Sequence, residues 1–251
     1  MNPDDNNNLW QGLEPKAREA LQTRDYAKAD LATRLATSGV EAGELATEQA
    51  GPKPGLEDVW IPGVEIFHRP VYQQRHRGWF SEFSREKEGR LNDIGLWPQQ
   101  WATATMFANT AKGFHIHPPS IPEGTTATDW FQKLYIDEPQ SYDARPYDRE
   151  QWDAMFFVQG TIEFFLVEER VGMPRRVMRF IIEGDNRPGA SNIGLVIPSG
   201  VAHALRCASS ENVIMVYGTS TSFEPSFEGR IASDVEECLL PKDWQSYIKE
   251  D

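Results

Sequence analysis

Cysteine is scarce in this chain: Cys207 and Cys238 are the only two among 251 residues. Two cysteines without a framework spacing indicate reduced thiols and not a disulfide-stapled scaffold. No apolar run approaches the roughly 20 residues that cross a bilayer. The first eight residues are polar and acidic, unlike a secretory signal. We therefore expect a cytoplasmic protein that neither spans nor binds a membrane.

Positive charge is also in short supply. The chain has 25 Lys and Arg residues against 38 Asp and Glu, a formal net charge of −13. General affinity for nucleic acid or anionic lipid rests on clustered Lys and Arg, so the composition argues against both kinds of partner. An anionic small molecule would need a local group of cations, for which the candidates in or beside predicted strands are Arg77, Lys112, Arg170 and Arg206.

The chain divides into two regions by its pattern. Residues 13–40 carry apolar side chains at spacings of three and four, which predicts an amphipathic helix or helical pair. Residues 50–55 (AGPKPG) have the Pro and Gly content of a linker. We predict a helical, partly flexible arm and linker over residues 1–55 and one β domain over residues 56–251.

The second region contains short β-like runs separated by turns, which predicts a sandwich or barrel. Gly160 suits a tight hairpin between two apolar strands. A long, aromatic-bearing loop is predicted over residues 118–151, and a short helix is predicted near residues 241–249. The predicted strands are 63–68, 78–84, 101–109, 113–117, 154–158, 161–167, 177–182, 194–197, 202–207 and 212–218.

Three histidines lie on two of these strands. His115 and His117 are two residues apart, so both face the same side of a strand. His203 follows a Pro/Gly turn, and the spacing G-x3-P-x-G-x2-H that ends at it resembles the second motif of the cupin superfamily, in which the histidine points into a β-barrel. Such a cluster supplies either a proton-transfer base or a metal site.

Several further segments resemble, in order, the dTDP-4-dehydrorhamnose 3,5-epimerase family of that superfamily. The resemblance runs from about residue 64 to residue 243. It implies a cupin-type antiparallel β-barrel or jelly roll, mainly β, and a homodimer. The segments that carry it are RGWFSE at 77–82, KGFH at 112–115, GTIEFFLVEER at 160–170, IPSGVAH at 197–203, Pro225 with Glu228, and LLPKD at 239–243.

The resemblance implies an isomerase that removes protons beside the C4 ketone of a 4-keto-6-deoxy sugar, free or linked to a nucleotide. His115 would be the base and Asp243 its orienting partner. A neutral imidazole accepts a proton at cellular pH, and a carboxylate on its other nitrogen fixes the tautomer. No cofactor is implied. The residues expected to bind substrate are Arg77, Glu82, Gln100, Lys112, Arg170, His203 and Tyr217.

The chain departs from the family pattern at two positions that matter for the reaction. The family's acid is a tyrosine where this chain has Ser222 and Phe223, so the acid is unassigned; Tyr217 could substitute if its side chain points inward. Asp153 stands where the family has a lysine that contacts phosphate, and a carboxylate there would repel a pyrophosphate.

Two alternatives remain open at this stage. His117 occupies a position where the family usually has Gln, and His115, His117, Glu123 and His203 together would suit Fe, Mn, Ni or Zn in a metal-dependent isomerase or dioxygenase. The other alternative is a sugar-binding cupin without catalytic activity, in which the barrel has kept its shape and lost its acid.

Overall fold

The computed structural model describes residues 37, 39–117, 150–168, 176–223 and 229–230. Two short helices, α1 (Ala42–Leu45) and α2 (Arg90–Asp93), and the 3-10 turn Arg75–Arg77 accompany the strands. The strands are β1 Val40–Glu41, β2 Glu65–His68, β3 Val71–Gln73, β4 Trp79–Ser81, β5 Gln100–Met106, β6 Ala111–Ile116, β7 Asp153–Gln159, β8 Thr161–Glu168, β9 Val177–Glu183, β10 Ile193–Ile197, β11 Val201–Cys207, β12 Val213–Thr219 and β13 Gly229–Arg230.

The strands form two main sheets that face each other. The first has the order β1-β9-β8-β11-β6-β13 and the second β2-β10-β7-β12-β5, while β3 and β4 pair separately. Every pairing is antiparallel except that of β1 with β9. The predicted antiparallel, cupin-type β architecture is confirmed. No helix in the described part of the chain is long and apolar enough to cross a membrane.

The core lies between the sheets because alternate residues of each strand point inward. Phe164 and Phe180 from the first sheet stack there with ring centroids 5.9 Å apart. Ile66 and Leu195 enter from the second sheet, and all four side chains are fully buried. Burial of aromatic and branched side chains on two facing sheets is the main term that holds such a sandwich together.

The hairpin between β7 and β8 turns at Gly160, as the sequence predicts. Gly160 has φ +80, a conformation that L side chains rarely adopt, and a Cβ there would meet the Asn212 carbonyl oxygen at 2.8 Å. The turn therefore requires glycine for both its backbone angle and its space.

The division of the chain at residue 55 stays a prediction, although part of the segment before it belongs to the barrel. Strand β1 extends the first sheet, and Ala42 and Leu45 of α1 are buried in the core. The sequence pattern did not indicate this strand because it is only two residues long. The predicted helix over residues 13–40 falls almost entirely, and that over residues 241–249 entirely, outside the described residues.

Candidate active site

The histidines predicted to share a site lie in one cavity between the sheets. His115 on β6 is the register partner of His203 on β11, and His117 follows β6 directly. Their ring centroids are 4.5 Å apart for His115 and His117, and 5.3 Å apart for His115 and His203. The alternation of side chains along β6 places His115 and His117 on the same side, as their spacing predicts.

The cavity has a volume of about 290 Å³, at the lower end of the sites that take small molecules. Its two walls come from different sheets. One wall carries Lys112, His115, His203 and Leu205 of the first sheet, together with His117; the other carries Gln100, Ala104, Asp153, Met155, Met215, Tyr217 and Thr219 of the second sheet, with Gln151 and Phe223 beside them.

Asp153 is the carboxylate at the centre of the histidine cluster. It is 3 % exposed, and its Oδ2 lies 3.2 Å from His117 Nε2 and 3.8 Å from His203 Nε2. Burial by itself would raise the pKa of Asp153, but the charge and hydrogen bond of His117, followed by the charges of His203 and His115, lower that pKa well below its usual range. The cavity therefore holds an ionised carboxylate.

His203 is held in its neutral form. It is 2 % exposed, and burial, followed by the charge of His115, lowers its pKa to about 3 although Asp153 opposes the shift. The free energy needed to remove an imidazolium from water is larger here than the attraction between that imidazolium and Asp153, because His203 and Asp153 are beyond hydrogen-bond distance. A neutral imidazole can accept a hydrogen bond or a proton but does not contribute a positive charge.

Gln151 and Thr221 support Asp153 from the side. The Thr221 hydroxyl donates to Gln151 Oε1, which turns the amide nitrogen toward Asp153 Oδ1 at 3.4 Å. The same amide nitrogen is 3.2 Å from His117 Nε2. Neither side chain was predicted for the site, and no motif marks them. Asp153 did have a sequence signal, since it is an ionisable residue directly before a predicted apolar strand.

Four of the predicted substrate-binding residues line the cavity: Gln100, Lys112, His203 and Tyr217. Lys112 is exposed at its edge, and Gln100 Oε1 accepts a hydrogen bond from the Phe223 N–H at 2.8 Å. Tyr217 reaches the cavity from β12, opposite His115, so it meets the condition for a substitute acid that the sequence left open.

Arg77 and Glu82 are not brought to this cavity within the single chain. Arg77 ends the exposed 3-10 turn, and Glu82 pairs with Arg85 beside a different cavity. Their predicted contacts with substrate stay predictions. The remaining predicted site residues, Asp243, Arg170 and Glu123, lie outside the described residues.

The carboxylate predicted for the metal alternative, Glu123, lies outside the described residues. Among the described residues, no group of three or more His, Cys, Asp or Glu side chains is arranged to hold a metal ion. Within the described ranges, the carboxylate beside the histidines is Asp153, and it is hydrogen-bonded to His117.

The fold and this cavity define a cupin-type barrel with an acid–base cluster between its two sheets. No protein-family model and no curated protein matches the chain. Solved structures do match: NovW, a 4-keto-6-deoxy sugar epimerase from the novobiocin biosynthetic gene cluster of Streptomyces spheroides, has a TM-score of 0.50 and 14% identity over 72% of this chain and 75% of its own. A dTDP sugar isomerase from Desulfovibrio desulfuricans has a TM-score of 0.50 and 11% identity over 69% of this chain and 87% of its own. The likeness to sugar epimerases that the motifs predict is thereby confirmed at the level of the fold.

Proposed function

We propose that this protein is an isomerase that moves a proton on the carbon next to the ketone of a 4-keto sugar, with His115 as the base. The observation that carries the proposal is the cavity in which His115 lies opposite Tyr217, with a cluster of ionisable side chains beside both. The solved structures of the same fold include a 4-keto-6-deoxy sugar epimerase and a dTDP sugar isomerase, which makes this substrate class the first to test.

The placement of His115 and Tyr217 on different sheets suits an inversion. A base on one wall removes the proton from one face of the sugar, and an acid on the other wall returns a proton to the opposite face. His115 takes the C–H proton, the C–H electron pair forms a carbon–carbon double bond, and the carbonyl π pair moves to the ketone oxygen. When this pair returns, the Tyr217 hydroxyl gives its proton to the same carbon. Solvent then reprotonates the phenolate and takes the proton from His115. Loss of the acid alone leaves exchange of the proton with solvent and abolishes inversion.

The test is uptake of solvent deuterium by a dTDP-linked 4-keto-6-deoxyhexose and by the corresponding free sugar. His115→Gln is expected to lower the exchange rate by a factor of about 100 or more, since a positioned base contributes about that much. The exposed His76, on the 3-10 turn, gives the matched control His76→Gln, which should retain the wild-type rate. Exchange that persists in His115→Gln would sink the proposal.

The same experiment separates catalysis from simple binding. If the wild-type protein binds the sugar, as titration calorimetry would show, but exchanges no deuterium, the chain is a sugar-binding cupin. The choice between the free and the nucleotide-linked sugar also bears on Asp153, because an ionised carboxylate in the cavity disfavours a pyrophosphate beside it. Asp243 as the partner of His115, and a homodimer, are further parts of this proposal.

A further inference from the structure

A second cavity lies on the outer face of the second sheet, away from the histidines. Ile66 of β2 points into the core, so its neighbour Phe67 points outward, where it packs against Leu91 of α2. Phe67, Leu91 and Arg69 line this cavity, which has a volume of about 380 Å³. That volume is within the range of sites that bind small molecules. The second cavity shares no lining residue with the candidate active site.

The guanidinium of Arg69 is buried in the wall of the second cavity. Arg69 is 4 % exposed, and its Nη2 donates to the Phe157 carbonyl oxygen at 3.2 Å and lies 3.5 Å from Asn192 Oδ1. Its Nε and Nη1 are also buried and have no hydrogen-bond partner among the described residues. Burial lowers the pKa of Arg69 to about 10, so the side chain is still charged at neutral pH. The wall therefore contains a buried cation with donors left over.

Two other arginines of the second cavity have carboxylate partners. Arg90 is also buried, and its Nη1 lies 2.6 Å from Glu65 Oε2. Arg85 is exposed and pairs with Glu82 and Glu88. A buried charge normally has such a partner, because burial without one costs free energy. Among the arginines in the described lining, Arg69 is the one without an anion.

Aromatic rings lie over the guanidinium groups of this cavity. The ring centroid of Phe83 is 5.2 Å from Cζ of Arg69, and that of Phe67 is 5.6 Å from Cζ of Arg90. A ring over a guanidinium covers one face of its plane, whereas the N–H groups point outward within the plane. An acceptor can therefore approach Arg69 along its edge while an apolar group contacts the neighbouring rings. A ligand that suits these walls has both an anionic group and an apolar body.

The other charges of the second cavity favour a ligand with a single negative charge. A phosphate dianion would be repelled by the carboxylates around it, and this repulsion grows with the charge of the ligand. A carboxylate carries one charge and two acceptor oxygens, which suits one guanidinium without an anion. The described carboxylates that line the cavity are Glu48, Glu82, Glu88 and Asp93.

We propose that the second cavity binds a small organic monocarboxylate with an apolar body, and that this carboxylate accepts hydrogen bonds from Arg69. The ligand supplies the anion for the buried guanidinium, and its body displaces water from Phe67, Phe83 and Leu91. Because Nε and Nη1 are buried, the Arg69 side chain has to shift when the ligand enters. The inference is independent of the proposed reaction, since the two cavities have no lining residue in common.

The experiment uses benzoate as the probe, titrated into the full chain by isothermal titration calorimetry. Benzamide has the same ring without the charge, and inorganic phosphate has charge without a ring. Arg69→Met removes the guanidinium and keeps an unbranched apolar side chain. Arg187→Met is the matched control, because Arg187 is exposed, pairs with Asp185 and lies outside the lining of the second cavity.

We expect benzoate to bind the wild-type protein at one site per chain. Its affinity should fall at least about 10-fold in Arg69→Met, as for loss of a charge-assisted hydrogen bond, and should be unchanged in Arg187→Met. Benzamide and phosphate should each bind the wild-type protein at least about 10-fold more weakly than benzoate. Benzoate should also raise the Tm of the wild-type protein more than that of Arg69→Met.

A further variant distinguishes the two cavities if Arg69→Met does not fold. Lys112→Met removes the cation that lines the described part of the candidate active site, and it should keep the wild-type affinity for benzoate. A loss of affinity in Lys112→Met would place the ligand in the active site and overturn the inference.

Three other results would overturn the inference. Wild-type protein that binds no benzoate would show that the second cavity does not take a carboxylate of this kind. Equal affinity of wild-type protein and Arg69→Met for benzoate would show that Arg69 is not its partner. Affinity for phosphate or benzamide as high as for benzoate would exclude the monocarboxylate. None of these results bears on the deuterium-exchange test of His115.

Discussion

Asp153 and Glu163 are two buried carboxylates on the barrel wall, and their partners differ. Asp153 faces the cavity and meets the imidazoles of His117 and His203. Glu163 lies on β8 between inward-facing Ile162 and Phe164, so it points to the outer surface of the first sheet. There it pairs with Arg179 and with Arg206, whose Nη2 is 2.6 Å from its Oε2.

The pKa of both carboxylates is lowered, but only one environment can change its charge near neutral pH. For Glu163, burial acts to raise the pKa, and hydrogen bonds and charges of Arg179 and Arg206 outweigh it. A guanidinium stays protonated at any physiological pH, whereas an imidazole gains or loses its proton there. The outer cluster, Glu163 with Arg179 and Arg206, is thus a fixed ion-pair network. The inner cluster, Asp153 with His117 and His203, contains groups that can move protons.

The largest expected difference between the two clusters is in stability at acid pH. The folded state keeps His203 neutral down to a pKa of about 3, whereas the unfolded chain protonates it near 6.5, so the unfolding free energy falls as pH falls through this window. His203→Gln should remove about 3 kcal/mol of the loss between pH 7 and pH 4. Denaturant titrations at each pH measure this, with His76→Gln as control. A variant with the wild-type pH slope would show that His203 is protonated in the folded state.

Removal of the outer carboxylate should affect stability more than activity. Glu163→Gln leaves the guanidinium groups of Arg179 and Arg206 without it, and these side chains are only 18% and 19% exposed. We expect a loss of about 2 kcal/mol, less than for a fully buried pair because water reaches both groups. Chemical denaturation and deuterium exchange on the same preparations test this. A loss of exchange without a loss of stability would reverse the comparison between the clusters.

A smaller effect is expected from Thr221, which orients Asp153 indirectly through Gln151. Thr221→Val removes the hydroxyl that donates to Gln151 Oε1 and frees the amide to rotate away from Asp153. We expect a loss of about 1 kcal/mol, the usual value for one hydrogen bond, and a several-fold lower kcat. Thermal unfolding and the exchange assay measure the two. A stability loss with unchanged kcat would show that Gln151 is not needed to position Asp153.

No effect is expected from metal removal, because Asp153 is hydrogen-bonded to His117 and the proposed reaction needs only proton transfer. Protein purified without a metal-binding tag should show the same metal content as His117→Ala in elemental analysis. Its deuterium exchange should survive dialysis against EDTA. Near-stoichiometric metal that is lost in His117→Ala would instead support the metal-dependent alternative. It would replace the acid–base account of the histidine cluster.

The sequence predicts the barrel well because its strands are apolar runs between turns. Each predicted run overlaps an observed strand. The ends of the strands are displaced where backbone pairing, and not the side-chain pattern, decides the boundary. The two-residue strands β1 and β13 escaped prediction for this reason: a partner strand defines them, and no periodicity can show over two residues. The hairpin of β3 and β4 was predicted only in its second half.

The candidate site was predictable where it depends on spacing within a strand and not where it depends on packing between sheets. The two-residue spacing of His115 and His117 predicts their common side. Asp153 was interpreted as a departure that repels phosphate, whereas its position at the start of β7, across from His117, becomes apparent only when the two sheets face each other. Gln151 and Thr221 enter through contacts over 70 residues of sequence, which no local pattern encodes.

Strand β1 has a consequence for how copies of this protein behave at high concentration. An uncovered edge strand offers a row of free backbone groups on which a second molecule can build a continuous sheet, a common start of aggregation. Val40 and Glu41 occupy that edge along Phe180 and Ile181 of β9. These two residues, which precede the predicted domain boundary at residue 55, cover that part of the edge of β9. We expect a shortened chain that begins after them to expose it and to aggregate more readily.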